Sequence, residues 1–304
     1  MKLGFIGFGE VGYEISNGLV QQGLTEIYAS DPMQNDPKRG PVIQESAKKA
    51  KVTLLANNGE VAEKCDIIMA VIPGAFALDA AQSILNQMRP GKIYADMTTS
   101  LPSTKQRIDK LVNDRGAKFV DGGLMASLAS SHYKVPVIVA GNGSEDFINA
   151  LVRYGMNIKK ISDRAGDAIS VKLVRSVYMK GIAALGAEML EAAHVLGVDK
   201  LVVDSIGSTL DGKSFDFNND YLVVASVWHG ARQVHEMEDV TKMLDDIGVA
   251  ATMTKATRER LEWFASLNAR DYFKQQRPES WRECATLWDS VREEKTQKSR
   301  LHVV

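Results

Sequence analysis

The sequence predicts an α/β domain, built on a parallel sheet, that is followed by an all-α domain and joined to it by a long central helix. Three observations support this fold class: a glycine-rich turn between the first strand and the first helix, a regular alternation of short apolar strands with helices, and the loss of strand signals after about residue 162. A chain of 304 residues, 45% of them hydrophobic, can bury a substantial core, and its length favours two domains. We therefore expect a sheet domain over residues 1–163 and a helical substrate-binding and dimerisation domain over residues 164–304.

The glycine-rich turn follows the first strand, Lys2–Ile6, and precedes a helix that runs to about Gln22. Gly7 permits the tight turn, Gly9 lets backbone approach a pyrophosphate, and Gly12 allows close packing of helix on strand. The helix start also offers free N–H groups and the positive end of its dipole to phosphates. The sequence thus predicts a Rossmann-type domain that binds a dinucleotide through Gly7, Phe8, Gly9, Glu10, Val11 and Gly12.

Asp31 follows the second strand, Glu26–Ser30, about twenty residues after the glycine turn. A carboxylate there can accept hydrogen bonds from the adenosine ribose and would repel a 2'-phosphate, which favours NAD over NADP. Asp31 could instead only open a turn with Pro32. Lys38 and Arg39 follow closely and could attract a phosphate, so NADP stays an alternative to the favoured NAD.

Further strands and helices alternate along the first domain, and continuous apolar strands of this kind predict a parallel sheet covered on both faces. Loops after the carboxyl ends of such strands line the ligand crevice, so we expect Ile72, Pro73, Thr98 and Thr99 near the nicotinamide ribose. Thr98 and Ser100 could also cap the next helix. The predicted strands are Lys51–Ala56, Asp66–Ile72, Lys92–Asp96, Lys118–Asp121, Val135–Ala140 and Ile158–Ile161, and the predicted helices are Phe76–Met88, Ser103–Asn113 and Glu145–Tyr154.

The central helix is predicted over Gly166–Val198, where apolar residues recur at three- and four-residue steps and few positions are polar. We expect this helix to be mostly buried. Lys172 lies in its apolar first half, and a lysine in that setting either snorkels to water or has a function. Further helices are predicted over Lys200–Leu210, Tyr221–Ile247, Ala251–Leu267 and Glu279–Val291.

Several motifs in a fixed order give the chain a family resemblance. The glycine turn is followed by Asp96-Met-Thr-Thr-Ser-Leu-Pro102, by Asp121-Gly-Gly-Leu-Met-Ala-Ser127, and by Gly166 six residues before Lys172. This order resembles the beta-hydroxyacid dehydrogenases, a superfamily that includes 3-hydroxyisobutyrate dehydrogenase and 6-phosphogluconate dehydrogenase. The resemblance covers about the first 180 residues. Residues 172–181 and 232–237 are similar to a less characterised branch with its own C-terminal domain.

The resemblance implies an oxidoreductase that moves a hydride between nicotinamide and a small beta-hydroxy acid, or its aldehyde or keto partner. Thr98 and Thr99 match the family's Ser-Thr pair beside the nicotinamide. Lys172 matches the catalytic lysine, a general base for the substrate hydroxyl in oxidation and a general acid in reduction. An apolar setting, with Arg175 three residues on, should lower the pKa of this amine toward neutrality.

The departures from the family pattern concern the substrate. Met125 replaces a serine that would bind the substrate, and Arg175 replaces the family's Asn. Arg175 could clamp a carboxylate or phosphate, or it could pair with an acid such as Glu236. His235-Glu236 stands where the family often has Lys-Asp, so that cofactor contact is not expected. The predicted substrate-binding residues are Thr99, Met125, Ala126, Ser127, Arg175, Ser176 and Arg232.

Composition limits the other function classes. The formal net charge is −1 with no long basic run, which argues against a nucleic-acid or membrane partner. Met1 leads straight into a strand, and we expect a cytoplasmic protein. Cys65 and Cys284 are too few for a disulfide framework or a metal site. The apolar helical domain suggests a homodimer. Two alternatives stay open: an imine reductase, which usually lacks the lysine, and a non-catalytic dinucleotide sensor.

Overall fold

The computed structural model describes residues 1–301, and for residues 294–301 only the helical backbone. The chain divides into two compact units, residues 1–177 and residues from 178 onward. The division falls inside the long helix that follows the last strand. The domain boundary predicted at residues 163 and 164 stays a prediction.

The first unit is built on one eight-stranded sheet with the strand order β3-β2-β1-β4-β5-β6-β7-β8. The chain moves from β1 toward one edge and then returns to pair β4 with β1. The carboxyl ends of β1 and β4 therefore flank a topological switch point, where open α/β sheets bind their ligands. The strands are β1 (Leu3–Ile6), β2 (Ile27–Ser30), β3 (Thr53–Leu54), β4 (Ile67–Ala70), β5 (Ile93–Asp96), β6 (Lys118–Leu124), β7 (Val137–Ala140) and β8 (Ile158–Ser162).

Helices cover both faces of this sheet, and a separate apolar core lies on each face. The short helices α2, α3 and α6 were not predicted from the apolar periodicity. The helices of the first unit are α1 (Glu10–Gln21), α2 (Gly40–Lys49), α3 (Asn58–Lys64), α4 (Ala77–Gln82), α5 (Pro102–Asn113), α6 (Leu128–Ser131) and α7 (Ser144–Leu151).

One strand departs from the predicted parallel sheet, because β7 runs antiparallel to β6. A parallel return needs a crossover as long as the strand, usually a helix. Residues 125–136 contain only the four-residue α6 and a single 3-10 turn, which are too short to carry the chain back. The backbone N–H of Met125 instead donates to the carbonyl of Pro136 at 2.8 Å and closes the antiparallel pair. The sheet is therefore mixed, with all its other pairs parallel.

The remaining described elements are helices, which confirms the predicted fold class. α10 begins at Phe215, six residues before the predicted start, because the Ser214 hydroxyl caps it by accepting from the N–H of Phe217 at 3.1 Å. Glu188, on the long helix, accepts the N–H of Thr254 at 2.8 Å and so caps α11. These helices are α8 (Asp167–Val195), α9 (Asp199–Leu210), α10 (Phe215–Asp246), α11 (Thr252–Ser266), α12 (Ala269–Tyr272) and α13 (Trp281–Leu301).

The prediction that the central helix, α8, is mostly buried was wrong for the single chain. Its first turn packs on the sheet, where Ala168 and Ile169 are buried, but Val174 is 71% and Val177 76% exposed. A helix that is apolar on every side is expected to be buried, but the pattern does not say which residues bury it. In the single chain, only part of the helix surface is buried. We call the exposed set the α8 apolar surface: Val171, Val174, Val177, Tyr178, Met179, Ile182, Leu185, Leu190 and Val195.

Both cysteines are reduced and buried, one in each unit. Burial raises the pKa of the Cys65 thiol to about 12 and that of Cys284 to about 11. Over the described residues, the structure contains no group of three His, Cys, Asp or Glu side chains arranged to hold a metal ion. No helix in that same part of the chain is long and apolar enough to span a membrane.

Candidate functional site

The glycine turn joins β1 to α1 at the switch point. Gly7 has φ +89°, and a Cβ there would lie 2.5 Å from Ile72 Cγ2, so no other residue fits without a shift. A Cβ at Gly12 would lie 3.1 Å from the Gly7 carbonyl oxygen, which reflects the close approach of helix and turn. At Gly9, in contrast, no described atom lies within 4 Å of the Cβ position. The space before the α1 N-terminus is open, as the approach of a pyrophosphate to this backbone requires.

Asp31 supports this turn from the end of β2. One carboxylate oxygen, Oδ2, accepts from the backbone N–H of Phe8 at 2.8 Å, and Oδ1 accepts from that of Met33 at 2.8 Å. Asp31 therefore does open its own turn, and it also ties the glycine turn to β2. Each carboxylate oxygen can accept a further hydrogen bond, so these contacts leave acceptor capacity for ribose hydroxyls. The exposed Lys38 and Arg39 side chains follow on the same loop.

Two loops meet beside the glycine turn at the carboxyl ends of β4 and β5. A Cβ at Gly74, directly after Ile72 and Pro73, would lie 2.4 Å from the Thr99 carbonyl oxygen, so the two loops are in backbone contact. Thr98 is buried and Thr99 is exposed. The hydroxyls of Thr98 and Ser100 have no hydrogen-bond partner among the described residues, and α5 has no side-chain cap. Helix capping therefore does not account for either residue.

Lys172 is carried to the same edge of the sheet by the first turns of α8. The N–H groups of Gly166 and Ile169 donate to Asp121 Oδ2, at 2.9 and 3.2 Å, and Asp121 is the last residue of β6 that pairs with β5. A Cβ added at Gly123 would lie 3.6 Å from Lys172 Cβ, so the lysine stem packs beside this glycine. Lys172 is half-buried, whereas Arg175, three residues on, is exposed. The strands β1, β4, β5 and β6 are parallel, so their carboxyl ends lie at the same end of the sheet. Lys172 therefore lies at the end of the sheet that also holds the glycine turn and Thr98.

The other predicted substrate-binding residues lie in three separate segments. Met125, half-buried, and Ala126 and Ser127, both exposed, directly follow β6. The Ser127 hydroxyl accepts from the N–H of Ala129 at 3.3 Å and so caps α6. Ser176 is half-buried on α8, one residue after Arg175. Arg232 belongs to α10 in the second unit.

Arg232 forms an ion pair with Glu236, one turn further along α10. The Nδ1 atom of His235 lies 3.2 Å from Oε2 of Glu238. Glu236, considered above as a partner for Arg175, thus has an arginine partner on its own helix. The substrate roles of Arg175 and Arg232 stay predictions.

A buried ionic cluster under these loops was not predicted. Lys105, on α5, is completely buried, and its Nζ lies 3.0 Å from Asp96 Oδ1 and 3.6 Å from Asp121 Oδ1. Burial raises the pKa of Asp121, against the opposing effect of Lys105. Two signals were present in the sequence: an aspartate ends each of two successive predicted strands, and Lys105 shares the inner face of its helix with Ile108 and Val112.

Two family models match separate parts of this chain. Residues 2–152 match the model of the NAD binding domain of 6-phosphogluconate dehydrogenase, and residues 193–264 match a domain of unknown function, DUF1932. The 2-(hydroxymethyl)glutarate dehydrogenase of Eubacterium barkeri is 26% identical over 71% of each chain.

Two solved structures are also similar. A conserved protein of unknown function, described as structurally similar to 3-hydroxyacid dehydrogenases, is 28% identical with a TM-score of 0.59, over 90% of this chain and 99% of its own. An imine reductase from Pseudomonas sp. is 18% identical with a TM-score of 0.66, over 86% of this chain and 92% of its own. The imine reductase likeness shows the fold alone.

Proposed function

This chain belongs to the beta-hydroxyacid dehydrogenase superfamily, in a branch with a distinct C-terminal domain, and we propose that it is an NAD(P)-dependent dehydrogenase with Lys172 as its general acid and base. The substrate class we propose is a small beta-hydroxy acid or its aldehyde or keto partner. One observation carries the proposal: the stem of Lys172 packs beside Gly123, at the sheet edge that also holds the glycine turn and Thr98.

The residues present fit a dinucleotide. The open space in front of Gly9 and the N-terminus of α1 suit the pyrophosphate, and Asp31 suits the adenosine ribose. The contacting loops at Gly74 and Thr99 would hold the nicotinamide end. When bound, the cofactor supplies or accepts the hydride at C4 of its nicotinamide ring.

Lys172 performs the proton transfer in this proposal. In oxidation its neutral amine takes the proton from the substrate hydroxyl, and in reduction its ammonium returns a proton to the carbonyl oxygen. Arg175, exposed three residues further along α8, is suited to bind the substrate carboxylate through two parallel N–H donors. Gly123 lies in van der Waals reach of the lysine stem, since a Cβ added there would be 3.6 Å from Lys172 Cβ.

The direct test is nicotinamide absorbance during turnover, with NAD and NADP separately, against beta-hydroxy acids, sugar acids and phosphorylated sugar acids. Cyclic imines belong in the panel because they separate the imine reductase alternative from the leading proposal. Turnover of a hydroxy acid supports the proposal. Turnover of imines alone would favour the alternative, and measurable cofactor binding with no turnover of any class would favour the non-catalytic sensor.

Asp31 should set the cofactor preference, and we propose NAD. In the variant Asp31→Ser, we expect the ratio of kcat/KM for NAD to that for NADP to fall by about tenfold or more, the scale of one charge-assisted hydrogen bond plus one removed repulsion. Steady-state kinetics with both cofactors would measure it. Lys38→Ser is the matched control, because it removes a cation from the same loop and should impair only NADP. A wild type that already prefers NADP would contradict the proposal.

A homodimer would account for the α8 apolar surface. Exposed apolar areas of this kind usually mark an interface, and a two-fold partner is the simplest cover. We expect Val174→Glu to lower the dimer fraction by at least about tenfold, since it buries a charge at the interface. Sedimentation velocity over a concentration series would measure this. Val42→Glu on α2 is the matched control, because Val42 is 67% exposed and Val174 71%. A monomeric wild type would contradict the proposal.

A further inference from the structure

The buried cluster of Lys105, Asp96 and Asp121 lies where β5, β6 and α5 meet. Asp96 and Asp121 are direct register partners on neighbouring parallel strands, so both carboxylates leave the sheet on the same face. The Lys105 ammonium donates to the Asp96 carbonyl oxygen at 2.6 Å and lies 3.0 Å from Asp96 Oδ1. All three side chains are fully buried. With every group ionised, one cation faces two anions in the protein interior.

The cluster is bonded to both catalytic segments of the proposed site. Asp96 Oδ1 accepts from the backbone N–H of Thr98 at 2.8 Å, at the start of the loop that contacts Gly74. Asp121 Oδ2 accepts the N–H groups of Gly166 and Ile169, at the start of α8. Ile169 lies three residues before Lys172, which is slightly less than one helical turn. A single ion cluster thus fixes the Thr98 loop and the helix that carries the lysine.

Stability alone does not explain this arrangement. A buried ion pair can often be replaced by apolar side chains of similar volume with little loss of stability, or even a gain. Apolar neighbours are available here, since Ile108 and Val112 continue the buried face of α5. Ionic groups do add what apolar packing lacks, which is a defined direction and distance for each bonded backbone group.

We propose that Asp121 and Lys105 are positioning residues, which hold the first turn of α8 and the backbone of Thr98 against β5 and β6 and so set where Lys172 meets the substrate. This inference rests on the function proposed above. Asp121 acts through the acceptor oxygen that fixes the N–H groups of Gly166 and Ile169. Lys105 acts by orienting the carboxylates of Asp96 and Asp121, which the strand register places beside each other. Neither residue touches the substrate.

Two substitutions of Asp121 separate positioning from charge. Asp121→Asn keeps an acceptor oxygen for the N–H groups of Gly166 and Ile169, whereas Asp121→Leu has nearly the same shape and no acceptor. We expect Asp121→Leu to lower kcat by about 10²-fold, the effect of a displacement near 1 Å, with cofactor KM changed by less than about threefold. Asp121→Asn should recover most of that loss. Lys105→Met should resemble the leucine variant, while Lys110→Met, an exposed lysine of the same helix, is its matched control.

A second readout does not depend on turnover. Lysine amines are dimethylated with ¹³C, the Lys172 signal is identified by its loss in Lys172→Met, and its titration is followed by NMR without substrate. We expect Asp121→Leu and Lys105→Met to shift the Lys172 titration midpoint, and Asp121→Asn and Lys110→Met to leave it near that of the wild type. A residue with only a structural role would lower the unfolding midpoint without this shift.

The outcomes distinguish the two proposals. Equal effects of Asp121→Asn and Asp121→Leu on kcat, with an unchanged Lys172 titration, would overturn the positioning role. Full kcat in folded Lys105→Met would do the same for Lys105, and if that variant does not fold, the Asp121 pair decides. A wild type that turns over no substrate class would overturn the proposed function instead. The Lys172 titration would then decide the positioning role alone.

Discussion

Replacement of Lys172 by methionine is expected to lower kcat by about two to four orders of magnitude, the usual contribution of a positioned general acid or base. Methionine keeps an unbranched apolar stem beside Gly123 and lacks the amine. The fold and the affinity for the cofactor should therefore change little. Steady-state turnover, cofactor titration by fluorescence and thermal unfolding would measure the three properties on one preparation.

The matched control for this prediction is Lys180→Met, an exposed lysine on the same helix. It should leave turnover unchanged. The comparison distinguishes the effect of losing the Lys172 amine from a general effect of removing a positive charge from α8. Unchanged turnover in Lys172→Met would remove the lysine from the mechanism. If Lys172→Met lost both turnover and cofactor binding, the role of the residue would be to bind the dinucleotide and not to transfer the proton.

Replacement of Gly9 by valine is expected to raise the cofactor dissociation constant by at least about 10²-fold, because the side chain would fill the space that the pyrophosphate needs and remove two charge-assisted hydrogen bonds. The stability of the fold should hardly change. Gly9 has φ −85° and ψ −154°, an extended conformation that other residues adopt, and no described atom lies within 4 Å of its Cβ position. Cofactor titration and thermal unfolding would measure the two effects.

Gly7→Val provides the contrast, because the same side chain meets protein atoms there. Its Cβ would lie 2.5 Å from Ile72 Cγ2, at a residue with φ +89°. We expect this variant to lose several kcal/mol of stability, on the order of the known cost of overpacking with backbone strain. If Gly9→Val bound the cofactor normally, the pyrophosphate could not lie at this turn.

Much of the fold could be predicted from the sequence because its signals are local. The glycine turn needs only a strand, three glycines at fixed spacing and a helix start, and the structure has β1, Gly7 and α1 in that order. The strand ends that carry Thr98 and Asp121 were also predicted to within a few residues, since four-residue apolar runs bounded by polar residues mark buried strands. Local signals other than apolar periodicity were missed, since the start of α10 depends on the Ser214 cap and was predicted six residues too late.

The remainder depends on contacts between distant segments. The direction of β7 depends on how the segment between Met125 and Pro136 folds, because these two residues close the antiparallel pair, and the apolar pattern of the strand does not contain this information. The pairing of Lys105 with two aspartates needs the register of β5 against β6. The exposure of Val174 depends on how many residues of the same chain pack against α8. The apolar periodicity indicates only that burial of this side chain is favourable.

The burial of one cysteine in each unit gives this protein two internal reporters of local opening. A thiol held as firmly protonated as Cys65 or Cys284 reacts with an alkylating reagent only while its surroundings are open, because the thiolate is the nucleophile. The rate of labelling at Cys65 therefore follows opening of the sheet unit, and the rate at Cys284 follows opening of the helical unit. Mass spectrometry of the two labelled peptides would resolve the unfolding of one unit from that of the other without an introduced cysteine.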